Sequence, residues 1–431
     1  MPPELDSRPT QISPFIKSLV TDVSEPELEL IHNEIAKPAI PKCIHDSLVL
    51  NGHVVERVVG EFWTSRQRQA SSIHEVSYRA CFKPQLPAFF IKRFTAPGDI
   101  VYDPFSGRGT TAIEAALLGR RVIANDVNPL SQILACPRLT IPALSDVERR
   151  LDIIPISEGI RANIDLTMFY HPDTEAEIVS LKNYLSDRNT EGTEDELDAW
   201  IRMIATNRLT GHSSGFFSVY SFPPNQAVTA ESQKKINLKR NQTPQYRNTK
   251  KVILKKSKQL IGDLTERDII YLTRASDTAL FLTGSASQTP QIEGNTVKLT
   301  VTSPPFLDIV NYAEDNWLRC WFNSLNLDEI AAGITRAKNL EAWIVTMSAV
   351  LNELFRITAP GGIVAFEVGE VRNGKIKLDE HIVPLGVATG FVCEAIMINS
   401  QIFTKTSNLW GVSNNEAGTN SNRIVIFRKV P

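Results

Sequence analysis

The stretch Asp103-Pro104-Phe105-Ser106-Gly107-Arg108-Gly109-Thr110-Thr111 decides the fold of this chain. Ile100, Val101 and Tyr102 lead into it as a short apolar strand, and Ala112 to Gly119 leave it as a helix of good helix formers closed by glycine. The glycines let the backbone approach a ligand closely, and free N–H groups at the helix start favour negative charge. A second strand, Arg121 to Asp126, also ends in an acid. Asp103 and Asp126, 23 residues apart, are expected at the carboxyl ends of neighbouring parallel strands, where nucleotide-like ligands bind. There the Asp126 carboxylate suits a ribose diol; the plainer alternative is a turn or capping acid.

Outward from this loop, length and composition set bounds. The chain has 431 residues, too many for one small domain, and its hydrophobic content of 42% is ample for a folded core. The net charge of −2 makes any nucleic-acid surface local rather than global. Cys43, Cys81, Cys136, Cys320 and Cys393 are dispersed with no C-x-x-C, which fits a reducing cytoplasm and no metal site. Met1 to Thr10 is polar and does not read as a signal peptide, and no apolar run approaches membrane-spanning length. A soluble cytoplasmic protein without a membrane partner is expected.

Four regions follow. Residues 1–70 form an N-terminal extension with a helix-like piece at Glu25 to Ala36. Residues 71–136 hold the glycine loop, preceded by a helix from Pro84 to Phe94. Between Phe62 and Ala88, Arg66, Arg68, Arg79 and Lys83 alternate with Trp63, Tyr78 and Phe82. That pattern suits a nucleic-acid grip and equally a half-buried helix with snorkelling arginines. Residues 137–275 break the strand–helix rhythm. They read as mainly helical, with a helix opening at Pro172 and another capped near Thr193-Glu194-Asp195-Glu196 and running to Arg208. Gly211-His212-Ser213-Ser214-Gly215 has the spacing of a hydrolase elbow, but a helix precedes it where a strand is required, so it reads as a loop. Lys234, Lys235, Lys239, Arg240, Arg247, Lys250, Lys251, Lys255, Lys256 and Lys258 fall within 25 residues that contain no acid. Phosphate neutralisation explains such a run better than a solvated face does, so double-stranded DNA is the expected partner. In residues 276–431 the strands resume at Ala279–Thr283, Val297–Thr302, Ile363–Val368, Phe391–Asn399 and Arg423–Arg428, the last two antiparallel, with a polar loop over Ser407 to Asn422.

The wording around the glycine loop is more specific than its glycines. Lys83-Pro84-Gln85-Leu86, Gly98-Asp99 and Asp103-Pro104-Phe105-Ser106-Gly107-x-Gly109-Thr110-Thr111 together resemble the amino-methyltransferases of DNA, and Thr302-Ser303-Pro304-Pro305-Phe306 resembles that family's catalytic motif. The resemblance covers about 80–136 and 278–431. It implies an α/β fold, a Rossmann-like seven-stranded methyltransferase sheet, with 137–275 as an inserted, mainly helical target-recognition region. It implies S-adenosyl-L-methionine as cofactor, held by Lys83, Pro84, Asp103, Pro104, Phe105, Gly107, Gly109, Thr110, Thr111, Asp126, Val127 and Ser285, the last standing where the family often has an acid. Ser303, Pro304, Pro305 and Phe306 become the catalytic residues. The serine form resembles the N4-cytosine branch, although many cytosine-N4 relatives carry the two motifs in the opposite order. Arg108 stands where the family commonly has a small residue, and reads either as an arm to phosphate or cofactor or as an exposed loop side chain.

The chemistry is consistent with that implication. Cytosine N4 is a poor nucleophile because its lone pair is delocalised, so acceptors aimed at its two hydrogens favour pyramidalisation. The Ser303 hydroxyl and the Pro304 carbonyl suit that task, successive prolines hold the turn rigid, and Phe306 suits stacking on a flipped base. The expected activity is site-specific cytosine-N4 methylation of DNA, as the modification half of a restriction system with a cognate restriction endonuclease. Adenine-N6 methylation and a DNA-binding protein without transfer activity are the rivals. Cys136-Pro137 reverses the order that C5-cytosine chemistry needs.

Overall fold

A computed structural model describes residues 13–20, 43–63, 70–79, 81–223, 226–307, 312–333, 339–371, 375–400 and 421–431. The readings at Glu25 to Ala36, at Arg66 and Arg68, and over most of the 407–422 loop lie outside these residues.

Among the described residues eleven strands form: β1 (Ile44–Leu50), β2 (His53–Gly60), β3 (Ile100–Asp103), β4 (Arg121–Asp126), β5 (Leu280–Thr283), β6 (Val297–Thr302), β7 (Thr358–Val368), β8 (Glu370–Val371), β9 (Ile376–Lys377), β10 (Val392–Ser400) and β11 (Ser421–Arg428). Apart from the β8–β9 pair they make one sheet, in the order β1-β2-β10-β11-β7-β6-β3-β4-β5. From β5 to β7 every neighbour is parallel, and β11 enters antiparallel between β7 and β10. These seven strands, β5-β4-β3-β6-β7-β11-β10, are the Rossmann-like methyltransferase sheet that the resemblance implied. The sheet is larger than seven. The β1–β2 hairpin from the N-terminal extension adds to its edge, with β2 parallel to β10 through Ile396 opposite Arg57. The hairpin turn is Asn51-Gly52, both at positive φ (48° and 83°), as a type I′ turn requires.

The parallel strands are short and apolar because both faces are covered. One face carries helices Gln85–Phe94 and Thr110–Leu117, over which Phe90, Ile91, Ile113, Ala116, Val101 and Leu299 pack. The other carries helices Leu340–Ile357 and Leu378–Thr389, packed through Leu351, Leu354, Ile382 and Phe427.

The 137–275 region is helical as expected, with helices Leu144–Ile153, Pro172–Thr190, Glu196–Arg208, Ala230–Arg240, Thr249–Ile261 and Glu266–Ser276. The capping box of Glu196–Arg208 pairs Asp195 with Asp198, two residues beyond the expected start at Thr193, because only Asp195 stands at the N-cap itself. Trp200, Ile253 and Leu272 of this region share one buried cluster with the glycine-loop helix. The Trp200 indole donates to Ser257 Oγ at 3.0 Å inside it. The helices therefore continue one covering layer of the sheet. Among the described residues no helix is long and apolar enough to cross a membrane.

Candidate active site

The parallel strands deliver their carboxyl ends to one edge. There β3 ends at Asp103, β4 at Asp126, β5 before Gly284-Ser285 and β6 before Ser303. β3 is the neighbour of both β4 and β6, so a chain interval of 200 residues between Asp103 and Ser303 closes to adjacent strands. A cleft opens on this edge, lined by Pro104, Phe105, Gly107, Thr110, Asp126, Val127, Ser285, Ser303 and Pro305 among the residues expected from the sequence.

The loop's shape follows from its glycines. Gly107 (φ 53°) and Gly109 (φ 78°) are left-handed, and a Cβ on Gly109 would lie 2.4 Å from that of Ala135. The left-handed turn sends the Gly107 N–H to Asp126 Oδ2 at 2.8 Å, while Asn128 N donates to Oδ1 at 2.9 Å. Burial pushes the Asp126 carboxyl above the ordinary range, and these amides pull it back. Both oxygens keep lone pairs, so the carboxylate stays a competent diol acceptor at the cleft wall.

Asp103 lies beneath the cleft rather than in it. It is 1% exposed and accepts from Thr302 Oγ1 at 2.6 Å and Phe105 N at 3.1 Å. Burial raises its pKa to about 7 against those hydrogen bonds. Its observed part is a tie between the glycine loop and the strand that ends in Ser303.

Several other expected residues also stand outside the lining. Thr111 is buried, with Oγ1 donating to the Val301 carbonyl, and Gly109 faces Ala135. Lys83 is exposed and Pro84 is buried as the residue before the helix; the neighbouring Phe82 takes the wall instead. Pro304 is buried beneath the turn, and the Phe306 ring packs against Gly369.

Arg108 follows neither sequence reading. Its guanidinium turns inward and donates to the carbonyls of Val76 (2.9 Å) and His74 (3.3 Å), with Nε on Thr110 Oγ1. It is one of several side chains gripping an irregular strap, residues 73–79. Arg138, fully buried, donates to Ile73 O and to the Arg108 carbonyl. Asn207 and Arg319 both donate to Ser77 O, at 2.9 and 3.0 Å. The strap forms no helix beyond the 3-10 turn Ser72–His74, so the half-buried-helix reading does not hold over the strap. Its Tyr78 and Arg79, with Cys81 and Phe82 beyond, line the cleft, and Arg79 pairs with Asp315 at 2.7 Å.

Sequence reading missed four features of this site. Ser106 Oγ and Asn128 Nδ2 border the cleft, are buried, and have no hydrogen-bond partner. Such orphaned atoms point to a polar ligand; Asn128 stands directly after Val127, one of the cofactor residues expected from the sequence. Trp343, Thr346, Met347 and Val350, at helical spacing, form the facing wall. Glu367 on β7 is 5% exposed and accepts hydrogen bonds from Ser303 and Asn422. Burial pushes its carboxyl up. A lone acid inside the apolar run of Ile363 to Val368 was the available signal for it.

The basic run divides. Lys256 is 6% exposed beside Glu75 (3.5 Å), and burial, reinforced by Arg208, lowers its pKa to about 8. Arg247 donates to the carbonyls of Ser213 and Phe216, and Lys250 to that of Ile154. These three charges hold the fold together and leave the candidate DNA surface. Arg240 lies over the Tyr220 ring at 3.8 Å and Lys234 pairs with Asp165 at 3.5 Å. Lys235, Lys239, Lys251, Lys255 and Lys258 are exposed. The Gly211–Gly215 stretch is a loop of bends and turns, with Ser213 Oγ accepting from Gly215 N, as expected.

Comparison with known proteins places this edge in context. The DNA methylase family N6_N4_Mtase matches residues 41–131, which run from the β1–β2 hairpin through the strap and glycine loop to the helix after Asp126. The Type II methyltransferase M.MjaII of Methanocaldococcus jannaschii is 35% identical over 72 residues, 16% of this chain and 14% of that protein. The Type II methyltransferase M.BsoBI of Geobacillus stearothermophilus is 23% identical over 331 residues, covering 68% of this chain and 61% of that protein. The matches thus span less than two thirds of either curated relative. Among solved structures, TTHA0409 of Thermus thermophilus, complexed with S-adenosyl-L-methionine, is 23% identical over 34% of this chain and 54% of its own, with a TM-score of 0.22. A SAM-dependent methyltransferase of Methanosarcina mazei is 10% identical over 79% of this chain and 97% of its own, with a TM-score of 0.31.

Proposed function

We infer, from the match of residues 41–131 to the DNA methylase family and from the cleft just described, that this chain transfers a methyl group from S-adenosyl-L-methionine to an exocyclic amino group of a base in DNA. The target assigned is N4 of cytosine. One observation carries the reading: Ser303, bonded to the buried Glu367, lines the same cleft as Asp126 and the orphaned polar atoms of Ser106 and Asn128.

The residues fit the cofactor. Asp126 offers a carboxylate to a ribose diol, Phe105, Val127 and Ala286 offer apolar walls to a purine, and Ser106 and Asn128 offer unpaired polar atoms. When bound, the cofactor supplies an electrophilic methyl group on a sulfonium. Everything else falls to the protein. Ser303 donates its hydroxyl proton to Glu367, which leaves the oxygen's lone pairs for an amino hydrogen of the base, and the Pro304 carbonyl serves as the second acceptor. Once methylated, the nitrogen is acidic, and its proton can pass to the Ser303 oxygen as Glu367 takes the hydroxyl proton. Two prolines fix this turn, so little reorganisation is needed at the moment of transfer. A base within a duplex cannot reach such a cleft, so it is extruded.

Mass spectrometry of nucleosides from DNA treated with the protein and S-adenosyl-L-methionine is the test, with N4-methylcytosine expected. N6-methyladenine would keep the reaction class and strip Ser303 of its deciding role, and no methylated nucleoside would overturn the reading. Ser303→Ala is expected to slow transfer about 100-fold while leaving cofactor affinity within twofold by calorimetry. A variant at full rate removes Ser303 from the mechanism. As the modification enzyme of a restriction system, the chain would act on the site of a cognate endonuclease.

A further inference from the structure

We propose that Trp343 and Gly369 are positioning residues for the transfer step, the first setting the proline turn and the second Phe306. This rests on the function proposed above. Trp343 is 2% exposed, and its indole Nε1 donates to the Pro305 carbonyl at 3.0 Å. Pro305 already has a fixed φ, and a donor on its carbonyl fixes the following peptide plane too. Phe306 starts from that plane. Its ring lies on the backbone of Gly369, where an added Cβ would come within 2.7 Å of Phe306 Cε2. Neither residue belongs to the quoted motifs, and both lie far along the chain, one at the start of the Leu340–Ile357 helix and one just past β7.

The consequence is a rigid floor for the flipped base. Ser303 holds the amino group from one end of the turn, and the plane and depth of Phe306 set where the ring comes to rest. The Pro305 carbonyl would otherwise be free to rotate towards the cleft and compete for the base's donors. Tying it to an indole removes that competitor for the Pro304 carbonyl, the second acceptor in the proposed function. The other residues of the Trp343 face, Thr346, Met347 and Val350, line the same cleft, so the helix that braces the turn also shapes the pocket.

The test uses the full chain with single-turnover transfer, calorimetry with S-adenosyl-L-methionine, and fluorescence of 2-aminopurine at the target position. Trp343→Phe keeps an aromatic ring and loses the N–H. Transfer is expected to slow about tenfold, with cofactor affinity and the 2-aminopurine signal within twofold of the unsubstituted protein. Gly369→Ala, which displaces Phe306 without touching the indole, is expected to give the same split, and it decides the matter should Trp343→Phe fail to fold. Either variant transferring at the full rate, or losing rate only in proportion to cofactor affinity, overturns the proposal while leaving the function intact. Absence of any methylated nucleoside with the unsubstituted protein overturns the function and this inference with it.

Discussion

Asp103 shows what burial does to a residue whose place was readable and whose role was not. Its pKa of about 7 comes from burial, opposed by hydrogen bonds from Thr302 and Phe105, against an ordinary value of 3.8. The folded state holds a proton there between pH 4 and 7 that the unfolded state releases. Its stabilising contribution is therefore full below pH 4 and lost as pH rises through 7, at most about 4 kcal/mol from the size of the shift. Thermal unfolding across pH 4 to 8 should show this decline, and Asp103→Asn should flatten it; an unchanged slope would mean that Asp103 titrates normally. The sequence made Asp103 a cofactor ligand because an acid closing a first strand commonly faces the ligand. Asp126 has that position in the cleft, and Asp103 sits one layer below. Nothing in a single sequence separates two strand-end acids by depth. Arg108 was unreadable for a related reason, since its partners are main-chain carbonyls and carbonyls carry no sequence signal.

Among the elements, the glycine loop was the most legible, because left-handed turns and close contacts need glycine whatever surrounds them. Its two glycines are not equivalent. Gly109→Ala meets both a positive φ and the Ala135 Cβ at 2.4 Å, so a loss of about 3 kcal/mol is expected from strain and overpacking together. Gly107→Ala, whose new Cβ meets nothing closer than 3.6 Å, should lose only about 1–2 kcal/mol. Denaturant unfolding of the two variants distinguishes them, and equal losses would show that the Ala135 contact relaxes freely. The β1–β2 hairpin was legible and went unread: Asn51-Gly52 between alternating residues is a strong short-range turn signal. Glu367 was harder. An acid in an apolar strand is visible, but its meeting with Ser303 depends on the pairing of β6 with β7, which periodicity does not reveal.

For the whole molecule, the parallel central sheet with its antiparallel last pair followed from the strand–loop–helix rhythm and the resemblance, while the path of the intervening helices did not. The basic run illustrates the difference. Its charge was plain, yet the fold buried Lys256 and turned Arg247 and Lys250 onto carbonyls. Replacing Lys235, Lys239, Lys251, Lys255 and Lys258 with alanine is expected to weaken DNA binding and reduce the salt slope by up to about 4.5, at ~0.9 per lost phosphate contact. Lys256→Ala should lower stability and leave the slope alone. Binding titrations at several salt concentrations test both, and an unaltered slope in the fivefold variant would return those lysines to a solvated surface.

The strap bears on whether residues 137–275, the target-recognition region expected from the sequence, are an interchangeable part. Cut at residues 137 and 275, a cassette would carry away Arg138 and Asn207, whose donors hold Ile73, Ser77 and the Arg108 carbonyl in place. A hybrid built on those borders would lose the wall of its own cofactor cleft before it met a new DNA sequence. Borders moved to spare Arg138, with an asparagine kept at the equivalent of 207, are the ones along which specificity could be transplanted.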